Sequence, residues 1–386
     1  MKKIIITTVV IVIIIGLFGC MKSANTQQSI KYWTVGSGGD FATLQEALAS
    51  SQVVSGSNIL VYNGTYTVNS TIVVSKPVNI VGETQNGVIF ETAGTASDPI
   101  QIFNIIMSNV QLSKLTILNR KSTNTSVESA IVVSNPNNSG DLLTNININN
   151  CTIGIVEFGI VMRAGSWNIS KNTFEYTSTL SNQKFYPMGI YAVSGNCNIS
   201  GNSLINSSIN GIHPRFIYLT STNSGYNTTE KYTGTLTITG NSVITGPYFQ
   251  FYNQDNWSGA TGQFNLIFEN NTVMGPSVPL SNNFIIFYAG ASNFADILGT
   301  VTLKGNSLGN KTPDDTGGKG IIGIDGGNSS AVAFRSTSLT VYVSQNNVVN
   351  TSAFLIGFEQ AEGSENATVG YNTSQIILPI INQVTR

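Results

Sequence analysis

Arg163, Tyr191, His213 and Arg215 are the residues whose types and spacing could do chemistry. They belong to three similar phrases: Gly159-Ile-Val-Met-Arg163, Gly189-Ile-Tyr191-Ala-Val193 and Gly211-Ile-His213-Pro-Arg215. If these are strands in successive coils, alternation turns Ile160, Ile190 and Ile212 inward and Val161, Tyr191 and His213 outward, with Arg163, Val193 and Arg215 on the same side. Tyr191 and His213 then lie about 5 Å apart at the backbone, and the two arginines about 10 Å apart. Two cations beside a His and a Tyr could neutralise a sugar carboxylate and take the proton next to it, the chemistry of a uronate lyase. They could equally hold an anionic glycan without reacting. Glu157, Glu175 and Asp255 are expected near the edges of this patch. Further along, Tyr248-Phe-Gln-Phe-Tyr-Asn-Gln-Asp-Asn-Trp257 is dense in rings and amides, the groups that stack on sugars and bond their hydroxyls. Half of these rings must point inward, and Phe249, Phe251 and Trp257 are taken as the exposed ones.

The patch gains weight from the scarcity of charge. The 386 residues include 18 Lys and Arg, 19 Asp and Glu and one His, so 10% are charged against the usual quarter or so. A net charge of −1 without a basic cluster gives no footprint for nucleic acid. The 41% hydrophobic share is too high for disorder. Asn, Gly, Ser and Thr fill the polar surface instead, which suits a β-rich extracellular chain.

The elements that must position these residues announce themselves as a repeat. An apolar residue, two small or polar ones, Asn, a small residue and another apolar one recur at 169–174, 199–204, 238–243, 268–273, 303–308 and 343–348, and in degenerate form at 369–374. Two earlier copies, 112–117 and 148–153, carry Leu115 and Cys151 in place of the Asn. The shortest step between copies is 21 residues, enough for one coil of three short strands at about 3.3 Å per residue and too little for a helical hairpin. Period-two alternation such as Leu236-Thr-Ile238 surrounds each copy. The pattern predicts an all-β, single-stranded right-handed parallel β-helix, one coil per repeat. Asn172, Asn202, Asn241, Asn271, Asn306, Asn346 and Asn372 are expected to stack as a ladder at about 4.8 Å, bonding one another and the backbone and supplying the left-handed residue of each turn. Cys151 in that position reads as a buried, inert thiol.

The chain opens with Lys2 and Lys3, an apolar run from Ile4 to Phe18 and then Gly19-Cys20, short of a membrane span of about 20 residues and laid out as a secretory leader. Leu17-Phe18-Gly19-Cys20 resembles the lipobox of bacterial lipoproteins, which implies lipidation of Cys20. The domain organisation follows: 1–19 leader, 20–31 lipidated Cys and flexible tether, 32–375 the β-helix, 376–386 a cap or tail. Cys151 and Cys197 alone are too few for a disulfide framework.

Trp33-Thr-Val-Gly-Ser-Gly-Gly-Asp40-Phe-Ala-Thr-Leu-Gln-Glu-Ala-Leu48, with Asn58 to Tyr66 and Ile72 to Gly82, resembles the opening of pectin lyase-like β-helix proteins, the pectin methylesterases in particular. The resemblance implies a short helix closing the N-terminal end of the solenoid, with Asp40 as its N-cap and Phe41, Leu44, Ala47 and Leu48 as its apolar face. It specifies a fold rather than an activity. The paired Asp segments of methylesterases, the Asp triad and Gly-His-Gly of polygalacturonases and the Arg-Xaa-Pro-Xaa-Xaa-Arg of pectate lyases are absent from this sequence. With eight Asp in the chain, a calcium site of six to eight oxygens is not expected, nor is any cofactor. The sequence therefore points to a protein of the bacterial cell envelope, lipid-anchored, whose β-helix binds polysaccharide or mediates surface contact without catalysis. The alternatives are a polysaccharide lyase acting on uronates and a structural surface-layer or adhesin component. The expected partners are a polysaccharide or cell-surface glycan and, through the anchor alone, a membrane.

Overall fold

The structure, a computed structural model, describes residues 32–95, 98, 101–120, 129–134, 143–162, 165–177, 188–192, 196–205, 215–220, 234–243, 248–251, 263–274, 285–289, 295–309, 322–325, 334–344, 347–349, 356–360 and 381–385. Cys20, Asn346, Asn372 and the leader and tether all lie outside them.

The two apolar ends of the recurring phrase become two internal stacks. Ile59, Ile80, Leu112, Ile148, Ile169, Ile199, Ile238, Phe268 and Leu303 follow one another in register on successive parallel strands, each almost wholly buried. Across the turn, Ile117, Ile153, Phe174 and Leu204 do the same on the next sheet, as do Val243 and Val273, with Leu308 following in backbone register. Among the described residues every pairing between strands is parallel, and each complete coil gives one strand to each of three sheets. The first runs from Tyr32–Val35 to Phe334–Ser344 in eleven strands, the second from Gly64–Thr67 to Asn347–Val349 in ten, and the third from Ile72–Val74 to Ile381–Thr385 in eleven. This is the right-handed parallel β-helix that the repeat predicts, the hand that parallel crossovers take almost without exception.

The Asn ladder stands at the turn from the first sheet to the second. The Asn172 N–H donates to Asn202 Oδ1 (2.9 Å) and its Nδ2 to both Asn202 Oδ1 (3.0 Å) and the Ile148 carbonyl (2.9 Å). Asn202 repeats this toward Asn241 and Ile169, Asn241 toward Asn271 and Ile199, and Asn271 toward Asn306 and Ile238. The Cys151 N–H enters the same chain by donating to Asn172 Oδ1 (2.9 Å). One detail differs from expectation: the left-handed residue is the one before the ladder Asn. Lys171, Gly201, Gly240, Asn270 and Gly305 carry φ between 55° and 64°. The ladder Asn itself is held by its side-chain bonds and needs no unusual backbone.

At the N-terminus, Leu44–Ala49 forms the predicted helix and buries Leu44, Ala47 and Leu48 in the same core, with Phe41 packed against it. Its N-cap is Thr43, not Asp40. Thr43 Oγ1 accepts from the Glu46 N–H and Glu46 Oε2 accepts from the Thr43 N–H, a reciprocal capping box. The Asp40 carboxylate is occupied elsewhere, accepting from the Thr34 N–H and hydroxyl at 2.8 Å each. Lys76 ties the helix end to the first coil by donating to the Ser50 and Val53 carbonyls (2.6 and 2.9 Å).

Candidate functional site

The predicted patch lies on the third sheet, and its register differs from the one the Gly-Ile phrases suggest. Strand Phe158–Met162 pairs with Met188–Ala192 so that Val161 meets Tyr191, as expected. The next strand is Arg215–Thr220, and there Tyr191 meets Tyr218, Ile190 meets Ile217 and Met188 meets Arg215. The Gly211 phrase is thus not the coil above Gly189. Arg215 begins the strand three positions from the Tyr191 register instead of lying beyond it. A physical signal for this was present in the sequence: Pro214 has no N–H to give to a ladder and is disfavoured inside a sheet that continues on both sides. His213 and Arg163 lie outside the described residues, so the four-residue convergence is not established by the geometry.

In its place the sheet presents an aromatic and aliphatic column. In the strands Gln101–Ile105, Ser129–Val133, Phe158–Met162, Met188–Ala192 and Arg215–Thr220 the second and third residues both face inward. Ile102 and Phe103, Ala130 and Ile131, and Phe216 and Ile217 are all buried, and a Cβ on Gly159 or Gly189 would point into the same interior toward Phe174 or Phe216. The residue after that pair then faces outward. Val73, Asn104, Val132, Val161, Tyr191 and Tyr218 follow in register, and Tyr248 takes the same register on the next coil. Val132, Phe158 and Val161 form an apolar cluster separate from the interior core, and half-buried Tyr191 and Tyr218 pack against it. The two tyrosine rings are parallel within 8° with centroids 5.4 Å apart, and Phe158 meets Tyr191 edge-on at 5.3 Å. Parallel rings at that separation are offset rather than superposed, so part of each face is not covered by the other.

Two consecutive inward residues explain the glycines. A Cβ on Gly159 would stand 2.6 Å from the Gly189 carbonyl oxygen, and one on Gly189 would stand 2.8 Å from that of Phe216. On the following coil Phe216 fills the interior, edge-on to Phe174 at 5.5 Å.

Phe249 pairs with Leu219 and Phe287, in line with Ala192 and buried Met162, whereas Tyr248 holds the register of Tyr191 and Tyr218. Phe251 pairs with Ala289, two positions further in the Phe249 parity. Trp257 and Asp255 lie outside the described residues. Of the expected flanking acids, Glu157 is 4% exposed and immediately precedes Phe158, next to the column. Glu175 is on the second sheet, paired with Gly154 and Ile205, away from it.

Both remaining cysteines are free and buried. Burial pushes the Cys151 thiol up to about 12, against smaller opposing backbone hydrogen bonds, and pushes Cys197 well above its usual range. Neither is a nucleophile near neutral pH. Among the described residues no three His, Cys, Asp or Glu side chains gather where they could hold a metal ion, and no helix is long and apolar enough to cross a membrane.

No family model matches the chain, and no curated protein does. Solved structures similar to it include a pectin methylesterase from Aspergillus niger (13% identity, 87% of this chain and 88% of that one, TM-score 0.40). Others are the pectin methylesterase from carrot (10%, 88% of each chain, TM-score 0.37) and the A-module of a mannuronan C-5 epimerase from Azotobacter vinelandii (10%, 88% and 94%, TM-score 0.38). At these identities and scores the likeness carries no activity to this chain. The parallel coils described above stand on their own strand pairings.

Proposed function

We propose that this chain is a lipid-anchored protein of the bacterial envelope whose β-helix binds polysaccharide without chemistry, the glycan lying across successive coils on the third sheet. The observation that supports this reading is the offset Tyr191–Tyr218 stack, outward on neighbouring coils and continued in register by Tyr248. Pyranose rings present apolar C–H faces that pack on aromatic rings, and a column repeating every coil, about 4.8 Å, can meet consecutive sugars. The buried Val132, Phe158 and Val161 beneath fix the rings in place, so less freedom is lost on binding. Arg163, His213 and Arg215 remain the candidate partners for a glycan carboxylate.

Affinity measurements on a panel of neutral and uronate polysaccharides test this. Tyr191→Ala and Tyr218→Ala should each weaken binding by about five- to tenfold, in line with about 1–1.5 kcal/mol for a lost ring contact. Unchanged affinity in both variants would sink the reading. Growth of near-ultraviolet absorbance from unsaturated sugar ends on a uronate polymer, lost in His213→Ala, would replace it with the lyase. The anchor is tested separately: Cys20→Ser should release the protein from the membrane fraction, and unchanged partitioning would overturn that part.

A further inference from the structure

The outer face of the first sheet carries a different surface, on residues that take no part in the aromatic column. On the four strands Leu143–Asn149, Gly165–Ser170, Asn196–Ser200 and Gly234–Thr239, the outward positions fall into three columns. The central column is Asn147, Asn168, Asn198 and Thr237, and one side column is Asn149, Ser170, Ser200 and Thr239. The other is Ser166, Asn196 and Thr235, the last tied to the one below by its N–H donating to Asn196 Oδ1 (2.9 Å). All eleven side chains are neutral amides or hydroxyls, and all are half-buried or exposed. The uncharged grid ends with these four strands: on the next two, one side column continues as Asn265 and Thr300, the central column carries Ile267 and then Thr302, and the other side column turns charged with Glu269 and Lys304.

The sheet spaces these groups on a grid of about 4.8 Å between strands and about 6.6 Å along them. The side chains also brace one another. Asn198 Nδ2 donates to Asn168 Oδ1 (2.8 Å) and approaches Ser200 Oγ (3.4 Å), so the amides are oriented before any partner arrives. A surface with no charge has nothing to hold an anionic polymer, and one with no apolar centre lacks what a protein interface buries at its core. A braced, uncharged grid of donors and acceptors fits a partner that is itself neutral, hydroxylated, rigid and periodic. We infer that this face binds the ordered surface of a neutral, crystalline polysaccharide, with sugar chains running along the coil axis so that each ring meets one coil. Single contacts of this kind are weak, and the affinity comes from many made at once on a fixed array. The face therefore discriminates by order: it holds the insoluble polymer and binds soluble fragments of the same sugar poorly.

Co-sedimentation of the full chain with microcrystalline cellulose and with crystalline chitin is the test. Binding to at least one powder should persist at high salt and resist competition by its soluble oligosaccharides. The double variant Asn168→Lys/Thr237→Lys should lower the affinity by about tenfold or more, as should Ser170→Lys/Ser200→Lys, while both keep the parent's urea midpoint. Thr65→Lys/Thr67→Lys, the same charge change at exposed positions of the second sheet, should bind the powders like the parent, which ties the effect to this face. Failure to pellet with either powder, or equal pelleting of both double variants, overturns the inference. So would ice-crystal shaping that the double variants abolish while no powder is bound, since the grid would then match a water lattice.

Discussion

Replacing Asn202 by Ala removes the middle of the ladder and little else. Asn202 is 1% exposed; its Oδ1 accepts from the Asn172 N–H and Nδ2 at 2.9 and 3.0 Å, and its Nδ2 donates to Asn241 Oδ1 and to the Ile169 carbonyl. The alanine leaves one buried main-chain donor and one buried amide hydrogen of Asn172 without their acceptor, each costing about 1–3 kcal/mol. The expected loss is about 3–5 kcal/mol, a large share of the roughly 5–15 kcal/mol that holds a typical domain. Urea unfolding of the full chain reads this as a lower midpoint at unchanged slope. Asn198→Ala is the control. Asn198 lies four residues away in the same coil, is exposed and bonds only at the surface, so its loss should stay within about 0.5 kcal/mol. Hydrogen exchange at the Asn172 amide should accelerate in Asn202→Ala and not in Asn198→Ala. A difference between the two variants below about 1 kcal/mol, with the Asn172 amide still protected, would refute the claim that the ladder carries stability.

Three other outcomes follow from the same geometry. Gly159→Ala forces a Cβ to 2.6 Å from the Gly189 carbonyl oxygen, backbone against backbone, and should cost about 1–3 kcal/mol; an unchanged melting temperature would show that the strands can part there. Because the folded-state pKa of Cys151 lies above the ordinary 9.0, its contribution to stability is complete below pH 9 and lost as pH rises toward 12. The urea midpoint should fall over that range, less steeply in Cys151→Ala, and native protein at pH 8 should resist thiol reagents. Lys76→Met removes both bonds to the helix end and should cost about 1.5–3 kcal/mol locally, seen as faster amide exchange over residues 47–50.

The coils were legible because stacking leaves a periodic trace. Each apolar residue of the repeat touches its counterpart one coil away, so Ile148, Ile169, Ile199 and Ile238 must all fit the same slot. The ladder Asn was legible for the same reason. Register on the third sheet was not, because the turns leading to it vary in length and Gly-Ile occurs at both Gly189 and Gly211. What separates the two is that Phe216 can replace Gly189 at an inward position, which depends on Phe174 lying across the interior to receive it. Such a three-dimensional fit leaves no spacing to read. The helix N-cap was misplaced because Asp40 and Thr43 are both competent caps, and only the fold brings Thr34 close enough to engage the aspartate.

The ladder also has a direction. Each Asn hands its main-chain and side-chain hydrogens forward to the following Oδ1 and reaches backward only to a main-chain carbonyl. A segment cut from one ladder Asn to the next, such as residues 173–202, therefore starts and ends on interchangeable junctions: its removal brings Asn172 up to Asn241 with every donor again facing an acceptor. Duplication of the same segment meets the same condition. Cys151, with a main-chain donor to offer and no Oδ1 to present, ends the run on one side, and among the described residues every junction from there to Asn306 meets the condition for gaining or losing a whole coil. Length here is an adjustable quantity, and with it the reach of both outer faces along the axis.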